Sequence, residues 1–312
     1  MENSDHPFST MKAPGDTRDG AYRGGIIQIH VTRACDLACF GCTQGSNLAG
    51  RVGFISLEHF EQACESLAGY WGVVGVFGGN PCLHPKFPEL CGILRKHFPN
   101  KRQRGLWSNN LNGHGAVCRE TFDARHSNLN VHLSRTAYDE MKRDWPESRP
   151  VGLESDSRHS PPFVSLRDVI EDEDERWRLI GQCDVNKYWS AMVCVVRGQV
   201  RGFFCEIAAA QAMLHQNETS YPDTGVPAVP GWWTRSIFHF EDQIRFHCHR
   251  CGIPLRTQGE LAIGGNLHQT SGDHVGVVIP KRRGQLVEIV HDKQQLRFAA
   301  ESSVTDYIGK AK

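Results

Sequence analysis

The sequence predicts an α/β protein whose core is a parallel β-sheet. Short apolar runs rich in β-branched residues alternate with stretches of helical periodicity through about the first 170 residues. This alternation is typical of β-α units, which place parallel strands side by side and functional residues at the carboxyl ends of those strands. After about residue 170 the pattern changes to a hairpin, a helix and loops. We therefore expect a β-α part followed by a smaller part of mixed structure.

Composition narrows the class of protein. The chain has 312 residues, with 35 Lys and Arg against 35 Asp and Glu, and hence no formal net charge. This balance removes the global electrostatic argument for nucleic acid or an anionic membrane surface as a partner. No apolar run approaches the roughly 20 residues that a membrane span needs, and residues 1–24 lack the apolar stretch of a signal peptide. We expect a cytoplasmic protein with a flexible N-terminal segment over residues 1–24.

The first part of the chain contains the alternating elements. Strands are predicted over 25–31, 72–77, 105–108, 129–134 and 163–166. Ser56 is placed to cap a helix over 57–67, whose apolar residues share one face. A second helix is predicted over 85–97.

Polar motifs follow three of these strands. They are a cysteine-rich loop over 35–47, a Gly-Gly-Asn-Pro turn over 78–81 and a Ser-Asn-Asn segment over 108–110. Because the carboxyl ends of parallel strands meet at one edge of a sheet, we expect the three motifs to share one face.

The second part begins with acidic residues 171–175, which indicate the solvated start of a helix. Two apolar runs, 188–196 and 199–205, flank Arg197 and Gly198 and predict a β-hairpin. The remaining candidates are a helix over 207–215, an aromatic loop over 217–233, and weak strands over 275–279 and 285–290.

Cys35, Cys39 and Cys42 form a C-x3-C-x2-C motif in the loop after the first predicted strand. Twelve cysteines in a cytoplasmic chain favour metal binding, because disulfides are rare in the cytosol. Three thiolates on a short loop can hold three irons of a 4Fe–4S cluster and leave the fourth iron open to a small molecule. The alternatives are a zinc knuckle with a distant fourth ligand and loop cysteines that only pack.

This motif resembles that of the radical S-adenosylmethionine (SAM) superfamily, and the resemblance covers roughly residues 25–170. It implies a partial (β/α)6 TIM-like barrel over 25–180, with a SAM-binding 4Fe–4S cluster whose open iron chelates SAM. In that family an electron from the cluster cleaves SAM to methionine and a 5′-deoxyadenosyl radical, which abstracts a hydrogen atom from substrate. The resemblance also implies an electron donor such as flavodoxin or ferredoxin.

The turn formed by Gly78, Gly79, Asn80 and Pro81 resembles the family's Gly-Gly-Glu-Pro turn. In the family this turn receives the ammonium group of SAM mainly through backbone carbonyls. Asn80 replaces the usual Glu, which is compatible with that role if backbone atoms make the contacts.

Other SAM contacts are implied by position. Ser108 with Asn109, and Ser134 after the next strand, correspond to strand ends that approach the ribose and carboxylate of SAM in the family. For Ser108 and Ser134 the alternative is strand-end capping. The family usually has an aromatic residue immediately before the third cysteine, beside the adenine. Gly41 holds that place here, so that either Phe40 substitutes from one residue away or the backbone alone holds the adenine.

A second set of cysteines resembles the Twitch module, the shortened form of the SPASM extension of radical SAM enzymes. That module holds one auxiliary 4Fe–4S cluster through four cysteines, and the resemblance assigns Cys183, Cys205, Cys248 and Cys251 within residues 181–260.

Alternatives remain open for the second set. Cys194 could replace Cys183 as the first ligand, although its predicted mid-strand position suits a core residue. His247 and His249 flank Cys248, and a Cys/His set would suit zinc. Residues 261–312 are expected to form a C-terminal extension. The other cysteines are expected to pack: Cys64, Cys82, Cys91 and Cys118.

The resemblance favours an oxidoreductase in which the auxiliary cluster accepts an electron. We expect hydrogen abstraction beside a hydroxyl of a small alcohol or sugar-like molecule, deprotonation, and transfer of one electron to the second cluster. The alternatives are a radical enzyme that epimerises or cross-links a peptide, and a zinc-stabilised binding module. The aromatic loop 230–235 either lines a pocket or packs the two parts together.

Overall fold

The structure is a computed structural model. It describes residues 6–16, 25–37, 42–46, 53–154, 162, 165–188, 190–254, 268–270 and 287–289. Its strands are β1 (Ile26–Thr32), β2 (Val73–Gly78), β3 (Arg104–Ser108), β4 (Asn128–Asn130), β5 (Pro150–Val151), β6 (Ser190–Val196), β7 (Gln199–Phe203), β8 (Val226–Pro227), β9 (His268–Thr270) and β10 (Val287–Ile289).

Strands β1 to β8 form one sheet in the order β5-β4-β3-β2-β1-β6-β7-β8. Neighbouring strands from β5 to β6 are parallel, whereas β7 and β8 are antiparallel additions. The predicted α/β class with a largely parallel sheet is thereby confirmed. The six parallel strands follow the order β5-β4-β3-β2-β1-β6, so that β1 lies between β2 and β6, while the partial TIM-like barrel stays a prediction. Strands β9 and β10 pair with each other.

The central strand is β1, and all seven of its residues are buried. Ile27, Ile29 and Val31 alternate with polar residues and join the hydrophobic core. Gln28 and His30 lie on the other face and are also buried. Because β1 pairs with β2 on one side and with β6 on the other, it joins the first and second parts of the chain in one sheet.

The helices predicted over 57–67, 85–97 and 207–215 are present, and the structure adds others that were not predicted. The helices are α1 (Leu57–Ser66), α2 (Phe87–His97), α3 (Gly115–Thr121), α4 (Arg135–Asp144), α5 (Leu166–Val169), α6 (Glu173–Gly181), α7 (Asp184–Tyr188), α8 (Glu206–His215) and α9 (Glu241–His247). Ser56 caps α1 by accepting a hydrogen bond from the N–H of His59 at 3.1 Å. Asp172 caps α6 in the same way, so the acidic run does start a helix.

The predicted hairpin is confirmed. Strands β6 and β7 are antiparallel and meet at the two-residue turn of Arg197 and Gly198, where both φ angles are positive, at 50° and 74°. Gly198 suits such a turn because it lacks the Cβ that disfavours positive φ. The hairpin continues the main sheet beside β1, while the predicted boundary at residues 180 and 181 stays a prediction.

Two strand predictions need correction. The strand predicted over 129–134 ends at Asn130, because His132 and Leu133 have positive φ angles of 45° and 67°. The N–H of Leu133 donates to the carbonyl of Gly152 at 2.7 Å, a contact that bends the chain away from the sheet. In the strand predicted over 163–166, Leu166 instead begins α5, and residues 163 and 164 lie outside the described residues.

Residues 6–16 differ from the flexible segment that the sequence predicts. Phe8 is fully buried, with its ring centroid 5.6 Å from that of Phe238. The backbone N–H of Lys12 donates to the Asn186 side chain at 2.8 Å, and that side chain donates to the Lys12 carbonyl at 3.0 Å. Residues 6–16, here called the N-terminal strap, are therefore packed against the second part of the chain.

The aromatic loop packs. Trp232 is fully buried, and a Cβ added at Gly202 would lie 2.6 Å from its ring. The ring of Trp233 lies edge-on to that of Tyr70, with 5.2 Å between centroids. These tryptophans therefore join the loop to the sheet and to the turn after α1.

Within the described part of the chain, no helix combines the length and the apolar content that crossing a bilayer requires.

Candidate metal and cofactor sites

The first candidate site, here called the carboxyl-edge site, lies where β1 and β2 end. The N–H of Gly79 donates to the carbonyl of Thr32 at 2.8 Å, and the N–H of Asn80 donates to the carbonyl of Ala34 at 2.7 Å. Gly78 has φ of +150°, and an added Cβ would lie 2.1 Å from the Thr32 oxygen. The two glycines thus allow the turn to lie directly against the chain that leads into Cys35.

Strand β3 brings its polar end to the same place. Ser108 Oγ donates to Asn80 Oδ1 at 2.9 Å, and Asn109 Nδ2 donates to Asp36 Oδ1 at 2.7 Å. The Oδ1 atom of Asn109 lies 3.9 Å from Cys35 Sγ. The expectation that the three polar motifs share one face is therefore confirmed.

The cysteine loop is described only in part. Cys35 and Cys42 are half-buried, whereas Cys39, Phe40 and Gly41 lie outside the described residues. The guanidinium of Arg33 donates to the carbonyl of Gly45 at 2.6 Å and so holds residues 42–46 against the end of β1. The ligand roles of Cys35, Cys39 and Cys42 and the adenine contact of Phe40 stay predictions.

Ser134 is engaged in helix capping. Its side chain accepts a hydrogen bond from the N–H of Ala137 at 3.2 Å at the start of α4. This is the capping role weighed against a SAM contact. Ser108 likewise accepts from the N–H of Asn110 at 3.3 Å, in addition to its bond to Asn80.

His30 lies on β1 just below the carboxyl-edge site. Burial, together with the smaller effect of the charge of Arg33, lowers the pKa of its ring to about 3. The ring is therefore neutral near pH 7 and a weak base. It does not supply the general base that the predicted oxidation requires.

The second candidate site is a cavity with about 380 Å³ of empty space, including its opening. Four thiols line it, those of Cys183, Cys205, Cys248 and Cys251, and we call it the thiol cavity. The remaining lining is mostly aliphatic or aromatic, and the N-terminal strap contributes Met11. The fold thus brings together all four cysteines that the sequence assigns to an auxiliary cluster.

Each cysteine stands at the end of a regular element. Cys183 follows α6 and directly precedes α7. Cys205 occupies the N-cap position of α8. Cys248 and Cys251 lie at either end of a single 3-10 turn, in which the N–H of Cys251 donates to the carbonyl of Cys248 at 3.2 Å. Rigid elements therefore hold all four thiols.

Electrostatics in the cavity disfavours free thiolates. Burial, together with the smaller effect of the neighbouring Cys183, raises the pKa of the Cys205 thiol to about 12. Burial also raises the pKa of Cys248 and Cys251, again with contributions from the other thiols of the cavity. The backbone N–H groups of Asn186 and Val185 act in the opposite direction on Cys183. A cationic metal centre would relieve the mutual repulsion of thiolates here.

The spacing of the thiols tests which metal group they fit. Tetrahedral zinc with Zn–S bonds of about 2.3 Å places its sulfurs about 3.8 Å apart. Among the described residues, three or more potential ligand atoms lie within 4.8 Å of one another at Glu61, Glu65 and His97 only. No three of the cavity thiols therefore lie within 4.8 Å of one another. A four-iron cluster suits wider spacing, since each thiolate binds a different iron.

The two histidines of the zinc alternative are not placed as ligands: His247 lines the thiol cavity but is engaged in hydrogen bonds, and His249 does not line it. Both ring nitrogens of His247 have partners, since Nδ1 lies 3.0 Å from Gln211 Oε1 and Nε2 lies 2.7 Å from Thr224 Oγ1. The ring of His249 packs edge-on against Trp177, 4.5 Å between centroids, and does not line the cavity. Neither ring offers a free nitrogen to the thiol cavity.

The other cysteines belong to the core. Cys194 is fully buried in the middle of β6 and does not line the thiol cavity, so Cys183 is the better candidate for the first ligand. The four cysteines predicted to pack are buried as well: Cys64, Cys82, Cys91 and Cys118.

The two sites lie at opposite edges of the sheet. Strand β7 runs antiparallel to β6 with Phe203 opposite Met192, and Met192 pairs with Gln28 of β1. Cys205 comes two residues after Phe203, near the amino-terminal end of β1. Cys35 follows the carboxyl end of the same strand.

Some site residues were missed by sequence reasoning. Asp36 holds the Asn109 side chain beside Cys35. Its position inside the C-x3-C motif is the sequence feature that could have identified it. Gln211 and Gln243 hydrogen-bond around the thiol cavity. A glutamine in the otherwise apolar helix α8 was the signal for Gln211.

Comparisons with known proteins add little. No protein-family model matches the chain, and no curated protein shows significant similarity to it. A solved structure described as "Crystal structure of BtrN in complex with AdoMet and 2-DOIA" is similar with a TM-score of 0.40 and 12% identity, covering 72% of this chain and 87% of that chain. A likeness of this size does not assign the chain to a family.

Proposed function

We propose that the chain is a radical SAM oxidoreductase with two 4Fe–4S clusters that dehydrogenates a small alcohol or sugar-like molecule. Cys35, Cys39 and Cys42 would hold the first cluster, and the four thiols of the thiol cavity would hold the second. The carrying observation is that these four thiols, distant in sequence, line one largely apolar cavity.

The residues of the carboxyl-edge site have defined tasks in this proposal. Asp36 and Asn109 would orient Cys35, since Asn109 bridges the carboxylate and the thiol. Gly78 and Gly79 would hold the turn close enough for its backbone carbonyls to receive the ammonium group of SAM. An iron–sulfur cluster bound there would supply the electron that cleaves SAM to the hydrogen-abstracting 5′-deoxyadenosyl radical.

The cluster held in the thiol cavity would accept an electron from the substrate. Four cysteine ligands leave no iron open, so a substrate cannot bind to the metal there. The apolar lining, including Met11 of the N-terminal strap, would exclude water from the site. The product of the proposed reaction is a ketone, formed when the substrate loses a hydrogen atom, a proton and one electron.

The test begins with anaerobic reconstitution. We expect a brown protein with about eight irons per chain that forms 5′-deoxyadenosine from SAM under dithionite. The variant Cys39→Ala is expected to lose SAM cleavage. The double variant Cys248→Ala with Cys251→Ala is expected to hold about four irons and to lose substrate oxidation.

The matched control is Cys64→Ala, because Cys64 is buried in the core on α1, away from both sites. It is expected to keep its iron. A colourless wild-type protein carrying two zinc ions, or wild type that forms no 5′-deoxyadenosine, would refute the proposal. Unchanged iron content in the Cys248 and Cys251 double variant would refute the second ligand set.

A further inference from the structure

We infer that two buried glutamines, Gln211 and Gln243, are positioning residues that fix the spacing of the cysteine-bearing segments around the thiol cavity. The inference rests on the proposed function, since it concerns the metal group that the four thiols would hold. Both side chains are at most 1% exposed. A buried carboxamide is costly unless its donor and acceptor are both paired, so four satisfied hydrogen bonds at this place indicate a defined geometry.

Gln243 joins the helix before Cys248 to the strand end before Cys205. It lies on α9, and its Oε1 accepts a hydrogen bond from the backbone N–H of Phe204 at 3.0 Å. Its Nε2 donates to the carbonyl of Gly202 at 3.1 Å. The side chain therefore fixes the last residues of the hairpin relative to α9.

Gln211 makes the reverse connection. It lies on α8, which Cys205 precedes, and its Nε2 donates to the carbonyl of Arg250 at 3.1 Å. Arg250 stands between Cys248 and Cys251. Because a carbonyl only accepts, the amide oxygen of Gln211 must face His247, whose Nδ1 then carries the proton and donates at 3.0 Å.

The same orientation completes the network. With its proton on Nδ1, His247 accepts at Nε2 from the hydroxyl of Thr224, 2.7 Å away. Gln211 thus contacts the side chain of His247 before Cys248 and the backbone carbonyl of Arg250 after it. The hydroxyl of Tyr221 also lies 3.4 Å from Nδ1 of His247.

The two glutamines cross between the same two segments. Each begins on the helix next to one cysteine and ends on the backbone next to the other, so the segments can neither separate nor slide. Partners outside the ligand set commonly fix the orientation of metal ligands in this way. The consequence is an arrangement of the cysteine-bearing segments that is set before metal enters.

The test replaces each glutamine with methionine, which keeps the length of the side chain and removes both hydrogen bonds. In Gln211→Met and Gln243→Met, reconstituted as full chains, we expect iron to fall from about eight to about four per chain. The paramagnetic resonance signal of the second cluster is expected to disappear or to change its g-values. The matched control is Gln28→Met, since Gln28 is equally buried but lies on β1. It is expected to keep both signals.

A milder variant covers the case in which the methionine variants do not fold. Gln211→Glu keeps an acceptor for His247 but cannot donate to Arg250, and we expect it to shift the reduction potential of the second cluster. Unchanged iron, g-values and potential in these variants, with only a lower melting temperature, would overturn the inference. Wild type that binds zinc or only four irons would instead overturn the proposed function, and the two failures are thereby distinguished.

Discussion

Gly79 shows how closely two strand ends approach each other at the carboxyl-edge site. A Cβ at this position would lie 2.2 Å from the carbonyl oxygen of Ala34 and 3.0 Å from the Cβ of Cys35. The N–H of Asn80 donates to that same carbonyl at 2.7 Å. Neither segment can move away without breaking this hydrogen bond. The position of Cys35 therefore depends on the absence of a side chain at Gly79 in the neighbouring turn.

The variant Gly79→Ala tests this dependence. We expect the turn to move away from Cys35, the free energy of unfolding to fall by about 2 kcal/mol, and the iron content of the first cluster to decrease. Denaturant titration and iron analysis measure the two effects. The control is Gly92→Ala on α2, where an added Cβ meets nothing within 4 Å and alanine favours the helix by about 0.5–1 kcal/mol. A Gly79→Ala protein with wild-type stability and iron would contradict this explanation.

Among the elements, the N-terminal strap has the clearest effect on a site. Met11 lines the thiol cavity, Phe8 is fully buried, and Asn186 hydrogen-bonds to both backbone groups of Lys12. Asn186 lies three residues after Cys183, so the strap is fastened next to a proposed ligand. The strap covers part of the apolar lining of the thiol cavity, which water would otherwise reach.

Deleting residues 1–16 is therefore expected to expose the thiol cavity. We expect the second cluster to lose iron in air several times faster than in wild type, measured by the decay of visible absorbance after transfer from anaerobic buffer. The control deletes only residues 1–5, which precede the strap. Equal decay rates for the two deletions would show that the strap does not shield the cavity.

Elements with strong local signals could be predicted from the sequence. The periodicity of α1, the apolar run of α8 and the two-residue turn at Gly198 depend on residues close together in the chain. The end of β4 could not be predicted, because the contact from Leu133 to Gly152 comes from a later strand. The packing of Phe8 likewise depends on Phe238, which is distant in sequence.

At the candidate sites, too, contacts between residues distant in sequence could not be predicted. The resemblance to the Twitch module predicted which thiols would come together at the thiol cavity. The residues that hold the ligands were not predictable. Gln243 hydrogen-bonds to Gly202 and Phe204, about 40 positions earlier, and a buried carboxamide has no pattern of spacing that identifies its partners.

At the scale of the whole molecule, one sheet connects both parts of the chain. Strand β1 pairs with β2 on one side and with β6 on the other, so the parts before and after residue 180 share a core. Removing either part would leave one edge of a fully buried strand without its neighbour.

We therefore expect a single cooperative unfolding transition for the metal-loaded protein, measured by scanning calorimetry. A chain ending at residue 180 is expected not to fold, because β1 would lose the strand that covers its second edge. Two separate transitions, or a folded fragment over residues 1–180, would show that the parts on either side of the predicted domain boundary fold independently.

The position of the two sites at opposite edges of the sheet has a consequence for electron transfer. Seven strand residues separate the two edges along β1, and their rise amounts to about 20 Å. A small molecule held at the carboxyl edge cannot touch both metal groups. The electron leaving it would have to tunnel through protein along the buried interior of the sheet. The rate of electron transfer would then depend on the distance between the two edges. The choice of substrate would depend on residues at the carboxyl edge.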